Sequence, residues 1–445
     1  MGFNQMLNPG VKRSEVFAWA MYDFANSGYT TVVITAVFAA YFVGAVANNA
    51  EWATLAWTSA LSFSYAIVML TMPAMGEWAD RHAAKKKLLM AVTAACVLST
   101  AALAWVGPGE VLLALVFIVI SNSFYTYGES LSAAFLPELA KPEAMGRISA
   151  WGWAWGYLGG MLTLGLCLGY VLYAQAQGQT AREFVPFTML LTAAIYALSA
   201  CVTFALLKEH AQAQVTRPAG GGKWQQLVQT FREAKNYKDF MQLLVCAVAY
   251  QGGVAVAITL AAIYAEQVIG FQPQETMVLI FVLNIAALIG SLVLGYAQDR
   301  IGHKLALSLT LWGWGITCVL AVLSTSKEMF WWAAVLAGVC MGSSQSTGRA
   351  MAALFIPSHR LAEFFGLWAF AIRLASILGP MGFGLIAWLT DGNQRLAIAA
   401  TTSLFLLGWL LLMPVNVQRG QLLAMQASKR QSIDHPSLTS VSLKN

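Results

Sequence analysis

Long apolar runs separated by short polar segments dominate this chain of 445 residues. A helix needs about 20 residues to cross a hydrocarbon core of roughly 30 Å, and twelve runs reach that length. Six lie before, and six after, a polar stretch from Lys208 to Lys238. The runs predict membrane helices near residues 16–47, 53–74, 88–106, 111–135, 147–173, 186–207, 239–265, 275–297, 305–324, 330–353, 364–389 and 395–415.

The composition supports a membrane protein. Apolar residues make up 58% of the chain, charged residues make up only 10%, and the mean hydropathy is +0.64, far from soluble usage. We therefore predict an all-α polytopic membrane protein with twelve transmembrane helices in two six-helix bundles. The expected division is an N-terminal bundle over 1–207, a cytoplasmic linker over 208–238, a C-terminal bundle over 239–415 and a disordered cytoplasmic tail over 416–445.

The linker contains two kinds of sequence. Residues 209–222 are rich in Gln, Ala, Gly and Pro, which predicts a flexible link. Trp224, Leu227, Val228 and Phe231 then fall on one helical face. This spacing predicts a short amphipathic helix on the inner membrane surface.

Basic residues are distributed unequally between the two sides of the predicted helices. Of 26 Lys and Arg residues, twenty-one lie in segments on one side, three on the other and two within helices. Because cytoplasmic loops carry such an excess, we expect both termini in the cytoplasm and the protein in a plasma (inner) membrane, surrounded by lipid. The net charge of +6 therefore reflects topology and does not indicate a nucleic-acid partner, which requires a basic face on a soluble domain.

Two motifs recur at nearly the same period. Residues 135–137, Glu143 and Gly146 are repeated 220 positions later as 355–357, Glu363 and Gly366. Two independent segments with nearly one period indicate an internal repeat, and repeated halves of a membrane protein place a binding site between them. In the other motif, Gly76, Asp80 and Arg81 form the first copy, and they recur 219 positions later as Gly295, Asp299 and Arg300.

The chain lacks the residue patterns that other function classes require. The six Cys have no CxxC spacing, and the five His all fall in predicted loops or the tail, so we expect no metal site and no cofactor. Gly220–Lys223 lacks the P-loop spacing, and no nucleophile lies with a base inside the predicted helices. We therefore expect a protein that is not an enzyme and does not hydrolyse ATP.

The twelve-helix plan, with Gly-x-x-x-Asp-Arg after the second and eighth helices, resembles the Major Facilitator Superfamily. Residues 19–27, Trp-Ala-Met-Tyr-Asp-Phe-Ala-Asn-Ser, resemble the first-helix signature of the autophagy-related vacuolar effluxer family and its bacterial relatives. Residues 82–84 depart from the superfamily's usual Gly-Arg, and the fifth helix lacks the antiporter Gly-Pro pair. Further matches to the effluxer family are residues 135–138, 146–149, 156–160, 364–367 and 379–380.

The resemblance implies two bundles that rock around a central cavity lined by the first, fourth, seventh and tenth helices. It also implies amino acids as the substrate class. Asp80 and Asp299 should then accept hydrogen bonds from free N–H groups where the eleventh and fifth helices begin, and the two arginines should pair with nearby acids or carbonyls. We expect these residues to form conformational latches: Gly76, Asp80, Arg81, Gly295, Asp299 and Arg300.

Four charged side chains lie well inside predicted helices, where their cost marks them as strong site candidates: Asp23, Glu129, Arg349 and Arg373. Counted at 1.5 Å per residue, they share a layer about 10–12 Å from the cytoplasmic ends. Glu129 and Arg349 are repeat mates, so we expect them to pair when the inner gate closes. An alternative is that these charges only neutralise one another and fix helix register. The candidate substrate and coupling residues are Asp23, Asn26, Asn122, Tyr125, Glu129, Gln251, Gln345, Arg349 and Arg373.

Aromatic and small residues crowd the fifth predicted helix. Gly152, Gly156 and Gly160 recur at a four-residue spacing, which predicts close helix packing. Trp155 and Tyr157 are additional candidates for lining the cavity.

Together these features predict a secondary transporter of a small polar organic solute, an amino acid being favoured, that acts as a monomer. Protons are the expected coupling ion, because a buried carboxylate can titrate near neutrality. Two alternatives remain open: a facilitative exporter of other metabolites, and a non-transporting receptor or scaffold on the same fold. The charged layer argues against the receptor, which has no need to bear its cost.

Overall fold

The computed structural model describes residues 3–48, 50, 52–210, 231–271, 273–391 and 393–434. Within these ranges the chain is almost entirely helical, and each predicted membrane run corresponds to a helix. The twelve helices are α1 Arg13–Val46, α2 Ala53–His82, α3 Lys85–Ala102, α4 Val111–Ala133, α5 Met145–Ala176, α6 Ala181–Leu206, α7 Lys238–Tyr264, α8 Pro273–Ile301, α9 His303–Leu323, α10 Lys327–Phe355, α11 Leu361–Leu389 and α12 Gln394–Leu412.

Eleven of these helices in the described part of the chain are long and apolar enough to cross a membrane. The twelfth, α10, is 29 residues long but carries Gln345, Arg349 and several serines, so it is less apolar. The outer part of α1 includes two stretches of π-helix, Thr30–Ala36 and Phe42–Val46. The predicted fold class, an all-α membrane protein compatible with twelve spans, is confirmed.

The helices pack as two similar groups, α1–α6 and α7–α12. In the first group α1 packs against α5 and α6, and in the second α7 packs against α11 and α12. The same arrangement in both halves is what the internal repeat predicts. The halves meet where α2 contacts α11 and α5 contacts α8, with further contacts of α4 with α11 and α5 with α10.

Glycines allow the helices to approach closely at these seams. A Cβ added to Gly366 of α11 would lie 3.1 Å from Cα of Pro73 on α2, and one on Gly76 would overlap the backbone of Ala362. On α8, a Cβ at Gly295 would overlap the Ala150 side chain of α5. Both glycines of the duplicated motif therefore serve packing between the halves.

The glycine row of α5 packs against α1, as its four-residue spacing predicts. A Cβ on Gly156 would lie 2.9 Å from Ser27 Oγ, and one on Gly160 would lie 2.8 Å from Thr31 Oγ1. Larger residues at these positions would push α1 away from α5.

The two ends of the described chain lie on one face of the helices, called here the terminal face. Leu7 pairs with Ala140 through an isolated antiparallel bridge, and the Asn8 side chain donates to the carbonyl of Pro137 at 2.9 Å. Just after α6, the carboxylate of Glu209 accepts from the backbone N–H of Lys85 and Lys86, at 2.8 and 3.1 Å. The start of α1, the α2–α3 and α4–α5 connections and the end of α6 thus meet on this face.

The C-terminal segment is not disordered throughout, so the expected tail over 416–445 is wrong for its first part. Residues Val417–Asp434 form a helix, α13, which packs against α7 and α10. Its buried face includes the small residues Gly420 and Ala424. The polar composition of the segment gives no sign of this buried face. Residues 211–230, with most of the expected flexible link and amphipathic helix, and residues 435–445 lie outside the described residues.

A buried carboxylate fastens α13 to the bundle. Asp239, at the start of α7, accepts two hydrogen bonds of 2.8 Å from the Arg419 guanidinium and one of 2.7 Å from the backbone N–H of Asn416. Arg419 is outside the predicted membrane helices, and its hydrogen bond and charge contact with Asp239 raise its pKa above the usual range.

We predict that Asp239→Ala releases α13, because the substitution leaves the Asn416 N–H and the Arg419 guanidinium without their acceptor. Trypsin should then cleave after Arg419, Lys429 and Arg430 faster than in the unaltered protein. Glu183→Ala is the matched control, since Glu183 accepts from the N–H of Thr180 at 2.7 Å at the start of α6, on the opposite face. Equal cleavage rates in Asp239→Ala and the unaltered protein would show that α13 docks without this contact.

Candidate functional site

Exposure along the interface between the halves changes at one level. Towards the terminal face, residues 346–355 of α10 and 361–369 of α11 are all buried. Gln345 is the first partly exposed residue of α10 beyond this buried stretch, and Asp23 of α1 and Arg373 of α11 are also partly exposed. The halves therefore close against each other at the terminal face, and we infer that the charged layer forms the floor of a cavity that opens towards the opposite face.

The first ion pair of the floor joins α1 to α10. Arg349 Nη1 donates to Asp23 Oδ2 at 2.7 Å, Nε donates to Ser149 Oγ at 3.2 Å, and Nη2 donates to the Ser149 carbonyl at 2.7 Å. The guanidinium lies 4.8 Å from the ring centroid of Trp19 and 5.2 Å from that of Trp153, within cation–π range. Every side-chain nitrogen of this arginine therefore donates a hydrogen bond, and the side chain is only 8% exposed.

Glycine at position 152 makes room for this pair. A Cβ on Gly152 would lie 2.5 Å from Asp23 Oδ2 and 2.6 Å from Arg349 Nη2. The first glycine of the α5 row thus has a second role, because any side chain there would separate the two charges.

The second ion pair joins α4 to α11 and is less completely satisfied. Arg373 Nη2 donates to Glu129 Oε2, and the guanidinium lies 5.0 Å from the ring centroid of Tyr65 on α2. Tyr125 is close enough to hydrogen-bond Arg373. Arg373 Nε is buried and has no hydrogen-bond partner within the described part of the chain, and the Glu129 side chain is 36% exposed. This pair therefore combines an unused hydrogen-bond donor with a partly exposed acid.

The expected pairing of Glu129 with Arg349 is wrong in this conformation. Glu129 binds Arg373, and Arg349 binds Asp23. The repeat correctly places the two residues at related positions, but α4 packs on α11, which carries Arg373, and α1 and α10 both pack on α5, beside which Asp23 and Arg349 meet. Each charge is therefore paired with a residue of another helix and not with its repeat mate.

The uncharged candidates separate into two groups. Gln251 and Gln345 exchange hydrogen bonds between α7 and α10, at 2.9 and 3.3 Å, and Gln345 is at the floor. Asn26 instead accepts from Tyr196 at 2.7 Å, and Asn122 donates to Ser64 at 2.5 Å. Both asparagines bind partners inside the first bundle, so the structure does not bring them to the cavity with the charged residues, whereas the equally buried Gln251 binds Gln345 at the floor.

Four contacts of the floor were missed in the sequence: Trp19, Ser149, Trp153 and Tyr65. Two of them carried a signal, since Trp19 is one helical turn before Asp23 and Trp153 precedes Arg373 by the repeat period of 220. Tyr157 packs against Trp153, with ring centroids 5.9 Å apart. The other aromatic candidate, Trp155, packs instead against Phe17 at 5.5 Å and Phe24 at 6.2 Å.

Nearer the terminal face, both aspartates of the duplicated motif make the hydrogen bonds expected of them. Asp80 Oδ2 accepts from the backbone N–H of Glu363 at 3.0 Å, where α11 begins. Asp299 accepts from the backbone N–H of Gly146 and Arg147, at 3.0 and 3.3 Å, where α5 begins. Each contact joins one half to the other and helps to close the terminal face.

The arginines of the motif differ from each other. Arg81 forms an ion pair with Glu77 one turn earlier, whereas Arg300 is exposed. Beside the Asp80 contact, the buried Arg360 binds both Glu363 and Glu233. Burial alone would lower the pKa of Arg360, but the carboxylates outweigh that effect and raise it.

We predict energetic coupling within the observed ion pairs only. Removing one partner leaves a buried charge unpaired, so alanine double-mutant cycles for Asp23 with Arg349, and for Glu129 with Arg373, should give coupling energies of about 0.5–3 kcal/mol. The cycle for Glu129 with Arg349 is the internal control and should be additive. The measurement is the free energy of unfolding of the purified protein, and coupling confined to the control pair would contradict the assignment.

Comparisons with known proteins agree with this architecture. The family model described as "Vacuole effluxer Atg22 like" matches residues 51–424. An uncharacterized MFS-type transporter of Bacillus subtilis, YxiO, is 28% identical over 405 residues, which are 89% of this chain and 93% of the relative. Autophagy-related protein 22 of Cryptococcus neoformans is 28% identical over 186 residues, which are 38% of this chain and 32% of the relative.

Solved structures share the fold at low sequence identity. The Major Facilitator Superfamily transporter FucP, in the outward conformation, has a TM-score of 0.71 at 15% identity, over 91% of this chain and 100% of that chain. The human organic anion transporter MFSD10 has a TM-score of 0.68 at 15% identity, over 90% and 99%. Because the family model matches most of the chain and the helices adopt the superfamily fold, the chain belongs to the Atg22-like family of Major Facilitator Superfamily transporters.

Proposed function

We propose that this transporter carries an amino acid by alternating access. The observation that supports the substrate class is the ion pair of Glu129 with Arg373, an acid and a base that face the cavity together. A ligand with an ammonium and a carboxylate group can bind both members while leaving no charge unpaired, which is the condition for stable burial of charge. A ligand with only one charge would leave one member of the pair alone.

The same ion pairs supply the link between ligand and conformation. Asp23 with Arg349, and Glu129 with Arg373, both join one bundle to the other and so hold the terminal face closed. A ligand that replaces one of these pairs weakens the closed state relative to the open one, and only such differential binding shifts a conformational equilibrium.

Protons are the proposed coupling ion. Protonation of Asp23 or Glu129 removes the charge that holds its arginine, so it would release the same inter-bundle contact. Facilitative transport is the second candidate, because an arginine already neutralises each carboxylate, and a zwitterion can exchange into the Glu129 pair without a proton.

The proposed orientation places the terminal face in the cytoplasm of a plasma membrane. This follows from the excess of Lys and Arg in the segments on that side. We propose a monomer as the functional unit, since one chain supplies both acids and both bases of the floor.

Transport by purified protein in liposomes tests the substrate class. Labelled amino acids and labelled organic acids should be offered with and without a pH gradient. We expect uptake of amino acids that exceeds uptake of the organic acids and of protein-free liposomes. Uptake of no amino acid under any gradient would contradict the proposal and favour a non-transporting role.

We predict that Asp23→Asn or Glu129→Gln uncouples transport from the pH gradient, because an amide cannot take up a proton. Exchange of labelled for unlabelled substrate needs no net proton movement, so it should survive in at least one variant. The measurement compares gradient-driven accumulation with exchange in the same liposomes. Accumulation driven by protons alone in both variants would show that neither carboxylate carries the proton.

We predict that Asp80→Asn and Asp299→Asn slow transport while equilibrium affinity for substrate stays nearly constant. The amide weakens the contacts that join the bundles at the terminal face but lies away from the floor. Glu77→Gln is the matched control, since Glu77 pairs with Arg81 of its own helix. Loss of substrate binding by a well-folded Asp80→Asn or Asp299→Asn variant would exclude the latch role.

A further inference from the structure

A side-chain contact repeated in both bundles aligns α1 with α7. The Tyr22 hydroxyl occupies the space that a Cβ on Gly128 would need, and the Tyr250 hydroxyl does the same at Gly348. The two glycines are 220 residues apart on α4 and α10, the period of the repeat. Tyr250 is therefore the structural counterpart of Tyr22.

It follows that the next residues also correspond, Asp23 on α1 to Gln251 on α7. After the two glycines come Glu129 on α4 and Arg349 on α10, which correspond as well. The contact of Asp23 with Arg349 thus has a symmetry-related position between Gln251 and Glu129.

In the described part of the chain, no ion pair joins Gln251 to Glu129, the two residues of this second position. Gln251 forms hydrogen bonds with Gln345 instead, and Glu129 accepts a hydrogen bond from Arg373 of α11. The first position is filled by a guanidinium whose nitrogens are all committed. The floor therefore has one side at which the two symmetry-related residues bind each other and one side at which each binds a different partner.

We propose that the position between Glu129 and Gln251 that corresponds to the Asp23–Arg349 contact, called here the α4–α7 subsite, binds the ammonium group of the transported amino acid, while Arg373 binds its carboxylate. This inference rests on the proposed function and specifies its geometry. An ammonium has three N–H donors, and the Glu129 carboxylate and the side-chain carbonyl of Gln251, once it turns from Gln345, supply acceptors. The unpartnered Nε of Arg373 is a spare donor for the ligand carboxylate, in the paired geometry that arginine favours.

The same geometry makes Gln251 a specificity-determining residue. The floor holds two acids and two bases, so its charges balance, and a zwitterion preserves that balance. Glutamate at position 251 would restore the negative charge that Asp23 provides on the other side. The floor would then carry one excess negative charge, which favours a ligand with an additional positive charge.

Uptake kinetics of full-length protein in liposomes test the inference, with labelled alanine and leucine as neutral probes and labelled lysine as the cationic probe. Gln251→Leu removes the carbonyl, so KM for the neutral probes should rise roughly tenfold or more, the usual effect of losing a hydrogen bond to a charged group, while the maximal rate changes little. Gln251→Glu should shift the ratio of kcat/KM towards lysine by a similar factor. Gln251→Asn keeps a carbonyl and should lie between the unaltered protein and Gln251→Leu.

The matched control is Asn284→Leu, because Asn284 donates within its own helix, to Ile280 O at 2.8 Å, and its kinetics should be unchanged. Elution as a single species on size-exclusion chromatography establishes folding, and the comparison of Gln251→Glu with Gln251→Asn decides the test if the leucine variant fails to fold. Unchanged KM and unchanged lysine preference in the folded Gln251 variants would overturn the α4–α7 subsite while leaving the proposed function intact. Failure of the unaltered protein to transport all three probes would instead overturn the proposed function.

Discussion

A charge inside a membrane must be paired, and the structure depends on how this chain meets that requirement. Two acids and two bases lie at one level, and each acid is paired with a base from the other bundle. The pairing that makes burial tolerable is therefore also the attachment between the bundles. Any event that replaces a partner, whether ligand or proton, acts on both the local charge and the global conformation.

Close packing allows these charges to meet. Gly152 leaves space for the pair of Asp23 with Arg349, while Gly76, Gly295 and Gly366 let helices of opposite bundles touch near the terminal face. With those seams closed, Asp80 and Asp299 reach backbone N–H groups across the interface. The glycines and the aspartates thus support one closed state through packing and hydrogen bonding together.

Much of this arrangement could be predicted from the sequence, because the membrane imposes simple rules. Helix length, apolar runs and the repeat predict twelve helices in two related halves, and the cost of buried charge identifies Asp23, Glu129, Arg349 and Arg373. Partner choice was not predictable, since it depends on which helices are neighbours and not on depth alone. Asn26 and Asn122 were misplaced because a polar face of a membrane helix can bind another helix of the same bundle as well as a cavity. The α13 helix was missed because its docking uses Gly420, Ala424 and one buried aspartate, which composition does not reveal.

The two ion pairs suit different roles. The pair of Arg349 is completed by Ser149 and two indole rings, which suits a contact that holds the bundles together. The pair of Arg373 retains a free donor and a partly exposed acid, which suits exchange with a ligand.

The distance between the bundles at the terminal face tests this account most directly. Double electron–electron resonance measures the distance between spin labels placed at the exposed positions Lys87 and Ser358. In liposomes, this distance should become longer when a transported amino acid is added. An unchanged distance distribution at saturating amino acid would contradict the claim that the ligand replaces a contact between the bundles.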